Sequence, residues 1–379
     1  MANLFVNNGK NEKMMSFFPK TQGTYLAQIL LLFLSSWHKH KSETADIIAR
    51  CEMLTQKRRD KNMEQQEGAR RIVRDCIGIK PDDQVLLITD TGRPPAVEQA
   101  LYEACIEAGA IPKRLSFDGV LKDGQPPEAI SIAMKQANVV ICITTSTLGY
   151  STAAKTCTQQ GGRVIVMTEA TEELLTNKAL EADFVNLQGR VQAVMKAFDQ
   201  AKKVRVTTQK GTDLSFHIDG RTSHCCKGTC LDPGTMAAVP DMEVYIAPIE
   251  NTMAGTLIAD VMGTGMGLLT QPIHLEIQDG KAYRITGGTQ ADHLRKKVEN
   301  VPGGTVVAEF AIGLNPCATP TGSIVIDEGI YGTGHFALGS NTGFGGNNVC
   351  PQHLDLVYEK PTIYLDESLF MKDGVLTEL

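Results

Sequence analysis

The C-terminal part of the 379-residue chain concentrates side chains that can bind a metal ion. Glu309 lies in an apolar run, AEFAIG, and Glu328 and His335 flank the glycine-rich centre of IDEGIYGTGHFALG. His353 and Asp355 are two residues apart in PQHLDLVY, so on a β-strand both would project to one face and could bind the same cation. A set of carboxylates and imidazoles without thiolates is typical of sites for Zn, Co, Mn, Fe or Mg ions and differs from a cysteine-rich structural zinc site.

Each of these residues also has an ordinary structural explanation. Glu309 could be a paired buried carboxylate, His335 could cap a turn, and an H-x-D pattern is common by chance. Their concentration in one glycine-rich region favours a functional role, because buried charges are costly unless they are paired or bind a cation. The residues therefore predict a metal site, with metal-assisted hydrolysis as the leading chemistry.

A second group of metal-capable residues, near position 225, resembles only part of a zinc site. His224, Cys225, Cys226 and Cys230 lie near one another, but no second Cys/His pair follows at zinc-finger spacing. The ten cysteines of the chain also show no disulfide framework. We interpret them as structural free thiols in a reducing compartment, which predicts a cytoplasmic protein.

The secondary structure that must position the metal-capable side chains follows two different sequence patterns. In residues 63–202, short apolar runs such as VLLITD and VVICIT alternate with helical segments, which indicates βαβ units and a mainly parallel sheet. In residues 203–379 strand patterns dominate, and HLEIQDGKAYRIT contains a hairpin signal, Asp279-Gly280. The sequence thus predicts an α/β fold, with an N-terminal βαβ domain over 63–202 and a C-terminal strand-rich α+β domain over 203–379 that carries the metal site.

Residues 1–62 differ from the rest and are predicted to be an extension outside the fold. Their apolar run, Ile29 to Leu34, is too short to span a membrane, and no small-residue cleavage site of a signal peptide follows it. The net charge of −6 gives no attraction for phosphate backbones or anionic lipids. We therefore expect neither a nucleic-acid nor a membrane partner.

Two further glycine-containing stretches have no assigned role. TDTGRPP (89–95) follows a predicted strand and could receive a ligand there, but it lacks a phosphate-binding pattern. GTGMG (263–267) lies outside any βαβ unit, which argues against a dinucleotide site.

The C-terminal run from VAEFAIGLNP through TPTGSIVIDEGIYGTGHFALGSNTGFGGNNVCPQHLDLVYEKPTIYLD resembles the signature of the M29-type, thermophilic-aminopeptidase-like metallopeptidases. The resemblance extends back through GTDLSFHIDGR and VPDMEVYIAPIENTMAGTL, so it covers roughly residues 200–379. It implies two divalent ions held by three glutamates, two histidines and an aspartate. The positions of this chain that match the ligand pattern are Glu243, Glu309, Glu328, His335, His353 and Asp355.

The same resemblance implies a metal-dependent aminopeptidase that removes the N-terminal residue of short peptides. It implies that a water bridging two divalent ions (Zn, Co, Mn or Mg) attacks the peptide bond. It also implies a homodimer. Glu309 is the candidate catalytic residue, as a base or a bridging ligand. Two features depart from the family pattern. The family's catalytic Tyr is replaced by Thr342, and the spacing from Glu328 to His335 is longer than in the thermophilic members.

A related branch, similar to the 2,5-dihydroxypyridine dioxygenases, is the alternative. It also ends in H-L-D after a glycine-rich stretch, and the resemblance implies one non-haem Fe(II) ion acting on a hydroxylated pyridine-type ring. That branch has a His where this chain has Glu309, and a Ser where it has Ala337. Glu309 and His335 therefore favour the two-metal hydrolase, while the missing Tyr keeps the mononuclear iron dioxygenase as the alternative.

Overall fold

The structure, a computed structural model, describes residues 41–122 and 124–378, with side chains from residue 49 onward. The apolar run at 29–34 and most of the predicted extension lie outside these residues. Two compact units divide the chain, Met1–Asn62 and Met63–Leu379, and the second contains every sheet described below. No helix of the described residues combines the length and apolar character needed to cross a bilayer.

Helices and strands alternate up to residue 200, and strands dominate after it. The helices are α1 (Lys41–Arg71), α2 (Pro95–Glu107), α3 (Glu128–Met134), α4 (Thr152–Gln159), α5 (Phe184–Gln200), α6 (Gly288–Val298) and α7 (Ile324–Asp327). The strands are β1 (Gln84–Asp90), β2 (Ile111–Phe117), β3 (Val139–Ile143), β4 (Arg163–Val166), β5 (Lys203–Thr207), β6 (Asp213–His217), β7 (His224–Lys227), β8 (Met236–Ala238), β9 (Met242–Ile246), β10 (Ala254–Ala259), β11 (Met262–Gly263), β12 (Gly267–Leu268), β13 (Ile273–Gln278), β14 (Lys281–Thr286), β15 (Val307–Gly313), β16 (Thr333–Gly339), β17 (His353–Glu359), β18 (Thr362–Leu365), β19 (Ser368–Lys372) and β20 (Val375–Leu376).

The N-terminal sheet is parallel throughout and has the strand order β2-β1-β3-β4-β8. Strands β1, β3 and β4 are buried along nearly their whole length, as expected where helices cover both faces of a parallel sheet. Strand β8 joins this sheet from beyond residue 203. The predicted α/β class is confirmed, whereas the domain boundary at 202/203 stays a prediction.

Two antiparallel sheets form the C-terminal part, as the strand patterns predict. Their orders are β14-β13-β10-β6-β5-β18-β19-β20 and β12-β11-β17-β16-β15-β9-β7. The predicted hairpin joins β13 to β14, and its turn residues Asp279 and Gly280 have φ angles of 49° and 71°. Two left-handed residues in a two-residue loop match the twist of the flanking strands, so the D-G signal was a reliable one.

One face of the seven-stranded sheet packs into an aromatic core. The rings of Phe310 on β15 and Phe336 on β16 lie 5.3 Å apart, and Phe216 contacts both edge-on at 5.2 and 5.7 Å. Tyr358 on β17 stacks on Phe336 at 5.6 Å. Because successive strand residues face opposite sides of a sheet, the residues between these aromatics point to the other face. The candidate site lies on that face.

The ten cysteines are free thiols, and three in the N-terminal region are fully buried. Burial raises the pKa of Cys76, Cys105 and Cys142 to about 12. Because the thiolate is the nucleophile, we expect iodoacetamide at pH 8 to alkylate each of them at least about a thousandfold more slowly than an unperturbed thiol. Peptide mass spectrometry of native and urea-unfolded protein measures this, with the partly exposed Cys350 as the internal reference. Equal native labelling of Cys350 and the buried thiols would contradict the prediction.

Candidate metal centre

Five of the six predicted ligands lie on adjacent strands of the seven-stranded sheet. Glu243 is on β9, Glu309 on β15, His335 on β16, and His353 and Asp355 are on β17. These strands are neighbours in the order β17-β16-β15-β9, although 60 residues lie between the end of β9 and the start of β15. The sheet therefore brings together side chains that the sequence holds far apart.

The strand register explains why charged side chains fit on this face. Most of the residues directly opposite the five ligands on neighbouring strands are small; the larger ones are Val357, which also opposes His335, and Cys226, which opposes Glu243. Ala311 opposes His335, Ala337 opposes both Glu309 and Asp355, Gly313 opposes Glu243, and Gly339 opposes His353. Directly opposed residues share a face, so alternating small and charged positions leave space above the sheet for the ligand atoms.

The sixth predicted ligand, Glu328, approaches this face from a loop that follows α7. The neighbouring Asp327 carboxylate is fully buried and accepts hydrogen bonds from the backbone N–H groups of Thr321, at 2.8 Å, and Gly322, at 2.7 Å. The chain then passes close to Gly313 on β15, where a Cβ atom would collide with the Ile330 carbonyl oxygen. A glycine at position 313 is thus required for the segment carrying Glu328 to reach the sheet.

Glu309 lies between the two imidazoles. The Nε2 atom of His335 is 3.2 Å from Glu309 Oε1, and the Nε2 atom of His353 is 3.2 Å from Glu309 Oε2. His335 Nε2 is also 3.1 Å from Glu243 Oε2, and His353 Nε2 is 3.2 Å from Asp355 Oδ1. Metal-capable atoms within 4.8 Å of one another form the sets Glu243/Glu309/His335, Glu309/His353/Asp355 and Glu328/His335/Asp355. All six predicted residues are therefore brought together, and their role as ligands stays a prediction.

Hydrogen bonds behind the cluster orient His353 and Asp355. The His353 Nδ1–H group donates to the carbonyl oxygen of Ser340 at 2.8 Å, which turns the Nε2 side of the ring toward the carboxylates. The Thr264 hydroxyl donates to Asp355 Oδ2 at 3.0 Å, which leaves Oδ1 facing the same centre. Such partners behind the ligands are typical of metal sites, where they fix the tautomer and the orientation of the ligands.

The electrostatics of the cluster divide the carboxylates into two groups. Burial raises the pKa of Glu243 and raises that of Glu328 well above its ordinary value. Burial also opposes ionisation of Glu309 and Asp355, but the neighbouring imidazoles outweigh it, lowering the pKa of Glu309 and bringing that of Asp355 to about 2. Glu309 and Asp355 are therefore anionic at neutral pH and form the permanently charged part of the centre.

Several buried polar atoms of the centre lack a hydrogen-bond partner among the described residues. They are Glu243 Oε2, His335 Nδ1 and both carboxylate oxygens of Asp241. His335 Nε2 lies 3.1 Å from Glu243 Oε2 and 3.2 Å from Glu309 Oε1, so its one N–H group cannot fully satisfy both carboxylates. Unpaired buried oxygens are costly unless they are protonated or bind a cation. Together with the mixed carboxylate and imidazole donors, they fit a divalent metal ion of the Fe, Mn, Co, Zn or Mg group.

Two residues at the edge of the centre were not predicted to belong to it, although Cys226 was named in the group near position 225 and interpreted as a structural thiol. Cys226 on β7 and Asp241 before β9 form a further metal-capable set with Glu243. Burial raises the pKa of the Cys226 thiol and of the Asp241 carboxyl well above their ordinary values. Asp241 and Glu243 are separated by one residue, as His353 and Asp355 are. This spacing is the sequence signal that could have identified Asp241. The sequence placed Cys226 in a Cys/His group but not beside Glu243, because that proximity depends on the pairing of β7 with β9.

Aromatic side chains line one side of the centre. Phe344 lies edge-on to His353 at 5.9 Å and to Tyr245 at 5.4 Å, and Tyr245 stacks on His224 at 5.6 Å. Tyr150, from the loop after β3, lies 3.7 Å from the position of a Cβ atom at Gly343. We call Tyr150, Tyr245 and Phe344 the aromatic wall.

Tyr150 is the most exposed residue of the aromatic wall. Its side chain is 70% exposed, yet the surrounding protein raises the pKa of its hydroxyl to about 12, with a smaller contribution from the Glu309 carboxylate. Neither the Tyr150 nor the Tyr245 hydroxyl makes a hydrogen bond within the described part of the chain. Thr342, at the place of the family Tyr, lies 3.4 Å from Ser340 Oγ. The phenols that face the centre thus come from elsewhere in the chain.

Comparison with known proteins identifies similar sequences and folds. Residues 69–378 match the family model described as 2,5-dihydroxypyridine 5,6-dioxygenase. A relative of that description from Pseudomonas putida is 27% identical over 256 residues, which are 64% of this chain and 71% of the relative.

Two solved structures have the same fold. The 2,5-dihydroxypyridine dioxygenase of Pseudomonas putida aligns with a TM-score of 0.68 at 20% identity, over 84% of this chain and 98% of that one. Wild-type AmpT from Thermus thermophilus aligns with a TM-score of 0.60 at 15% identity, over 83% of this chain and 99% of that one. The second likeness supports the M29-type fold, but the family model and the relative favour the dioxygenase branch over the peptidase that the sequence analysis preferred.

Proposed function

The chain belongs to the 2,5-dihydroxypyridine 5,6-dioxygenase family, and from that premise we propose that it is a metal-dependent enzyme that opens a hydroxylated aromatic ring with dioxygen. The observation that carries the proposal is the convergence of His335, His353, Glu309 and Asp355 beside the aromatic wall. Two imidazoles and a carboxylate are the donor types of non-haem iron oxygenase sites. Fe(II) bound by these donors would supply the redox chemistry that makes dioxygen reactive toward an electron-rich ring.

The protein's own residues would bind and orient the ring. The rings of Phe344 and Tyr245 offer apolar faces against which a planar substrate can stack. The free hydroxyl of Tyr150 can hydrogen-bond an oxygen substituent of that ring. Glu309, which is anionic at neutral pH, can accept a proton from a ring hydroxyl at Oε1 or Oε2.

A second candidate, the metal-dependent aminopeptidase, is favoured by the number of carboxylates. A mononuclear centre needs only one or two, whereas Glu243, Glu309 and Glu328 all converge, and Glu309 faces both imidazoles. A carboxylate in that position suits a bridge between two ions. In this reading the substrates are short peptides.

An activity comparison on the full chain separates the two candidates. Protein loaded anaerobically with Fe(II) should consume dioxygen on addition of 2,5-dihydroxypyridine, and protein loaded with Zn²⁺, Co²⁺ or Mn²⁺ should leave leucyl-p-nitroanilide intact. Cleavage of the anilide without dioxygen uptake would overturn the proposal in favour of the aminopeptidase. Metal binding without turnover in either assay would contradict both.

Replacing Tyr150 by Phe is expected to lower kcat/KM about five- to tenfold while the metal content stays unchanged. The substitution removes one hydrogen bond to the substrate, which is worth roughly 1 kcal/mol. Steady-state kinetics in whichever assay shows activity measures the effect. Tyr283→Phe, at a 64% exposed position on β14, is the matched control. Equal kinetics of both variants would show that Tyr150 does not contact the substrate.

A further inference from the structure

A cavity of about 490 Å³ opens at the carboxyl ends of the parallel strands. Arg93 follows the end of β1, Thr145 follows β3 and Glu169 follows β4, and all three line this cavity. The strand order β2-β1-β3-β4-β8 reverses direction between β1 and β3. In open parallel sheets such a reversal leaves a crevice at the carboxyl ends of the strands, which is where ligands bind.

Positive charge predominates in the lining. Arg93 and Lys297 supply two positive charges, His293 adds an imidazole, and Glu169 is the only acidic lining residue among those described. Neither Arg93 nor Lys297 forms an ion pair within the described residues, and the Arg93 Nε atom is buried without a hydrogen-bond partner. Unpaired guanidinium and ammonium groups that line a cavity favour an oxyanionic ligand, which forms charge-assisted hydrogen bonds with both.

The two glycine-containing stretches left without a role form walls of this cavity. TDTGRPP contributes Arg93, and GTGMG contributes Gly265, Met266 and Gly267. Gly265 and Gly267 have left-handed φ angles of 70° and 65°, so the loop is tightly turned there. A Cβ atom at Gly265 would lie 3.0 Å from the Lys297 ammonium, so glycine keeps the space in front of that charge open.

We propose that this cavity binds a small ligand with one oxyanionic group, a carboxylate or a phosphate, held by Arg93 and Lys297. Glu169 disfavours a second negative charge and can accept a hydrogen bond from a hydroxyl or ammonium group of the same ligand. The Thr171 hydroxyl, which is buried without a partner in the described residues, adds a further polar contact. The ligand class is thus a small monoanion with a neighbouring polar group, such as a hydroxy acid.

The test uses methyl NMR of the full chain labelled with ¹³C at the methionine methyls. Met266 lines the cavity, and its signal is assigned with Met266→Leu. Lactate and inorganic phosphate are titrated separately to about 50 mM at constant ionic strength, a range that detects millimolar affinity. We expect a saturable shift of the Met266 signal with lactate, and the phosphate titration shows whether the site also accepts a phosphate group.

The variants Arg93→Gln and Lys297→Gln should each weaken this binding at least about tenfold, the effect of losing a charged hydrogen bond. Lys296→Gln, at an exposed position on the same helix and outside the cavity lining, should leave it unchanged. If Arg93→Gln does not fold, Lys297→Gln alone decides. No saturable shift with either anion, or undiminished binding in the folded variants, would overturn the proposal. The readout needs no turnover, so its outcome is independent of the dioxygenase reaction.

Discussion

Replacing Glu309 by Gln is expected to lower turnover at least about a hundredfold and to reduce the metal content of the purified protein. The substitution keeps the shape of the side chain but removes the charge that both imidazoles face at 3.2 Å. Loss of one well-placed charged group in a water-excluded centre typically costs two to three orders of magnitude in rate. The expected loss is the same in the ring-opening and the peptidase mechanisms, because Glu309 is central to both.

Kinetics in the active assay and elemental analysis of the same preparation measure the two effects. Glu276→Gln is the matched control, since Glu276 is a strand glutamate paired with Arg284 on the surface at 3.0 Å. Such surface pairs contribute little, so this control should match the unmodified protein. A Glu309→Gln protein with full metal content and full turnover would remove Glu309 from the centre.

Removing metal with a chelator is expected to lower the thermal unfolding midpoint by roughly 5–10 °C, and adding metal back should restore it. Glu243, Glu309 and Asp355 are buried and Glu328 is partly buried, so a bound cation relieves the mutual repulsion of these carboxylates. A ligand present at about a thousand times its dissociation constant stabilises the folded state by about 4 kcal/mol, which corresponds to a shift of this size.

Scanning calorimetry of chelated, reloaded and Glu309→Gln protein measures the shift. The Glu309→Gln protein serves as the control, because a weakened centre should gain little from added metal. Identical midpoints for the chelated and reloaded protein would mean that the cluster is stabilised by protonation rather than by a cation.

Local patterns predicted most of the fold because they depend on short-range chemistry. The alternation of apolar strands with helices before residue 202, and the Asp279-Gly280 turn, follow from neighbouring residues alone. Strand β8 could not be predicted in this way. Its three residues have no distinctive sequence pattern. The strand is defined by its parallel pairing with β4, the last strand of the βαβ region.

The ligand residues of the candidate site could be predicted because they are charged or imidazole side chains within otherwise apolar segments. His353 and Asp355 share a face because a strand repeats every two residues, and this needs no knowledge of the fold. The neighbours of the centre depend instead on long-range pairing. Tyr150 reaches Gly343 across almost 200 residues of sequence, and Cys226 reaches Glu243 only through the register of β7 and β9.

The donor residues in the sequence could not decide between the two reactions, and the reason is chemical. Carboxylates and imidazoles serve both a two-ion hydrolase and a one-iron oxygenase, so Glu309 and His335 alone do not select the reaction. The family match over residues 69–378 shifts the balance toward the dioxygenase branch.

Metal analysis of the full chain tests the central claim most directly. After anaerobic loading with Fe(II) and removal of loosely bound ions by gel filtration, the protein should retain at least one iron ion per chain, and Glu309→Gln should retain much less. One retained ion fits a mononuclear oxygenase, and two fit a bridged pair of ions. Protein that retains no divalent ion after loading with Fe(II), Zn²⁺, Co²⁺ or Mn²⁺ would contradict a metal centre at these side chains.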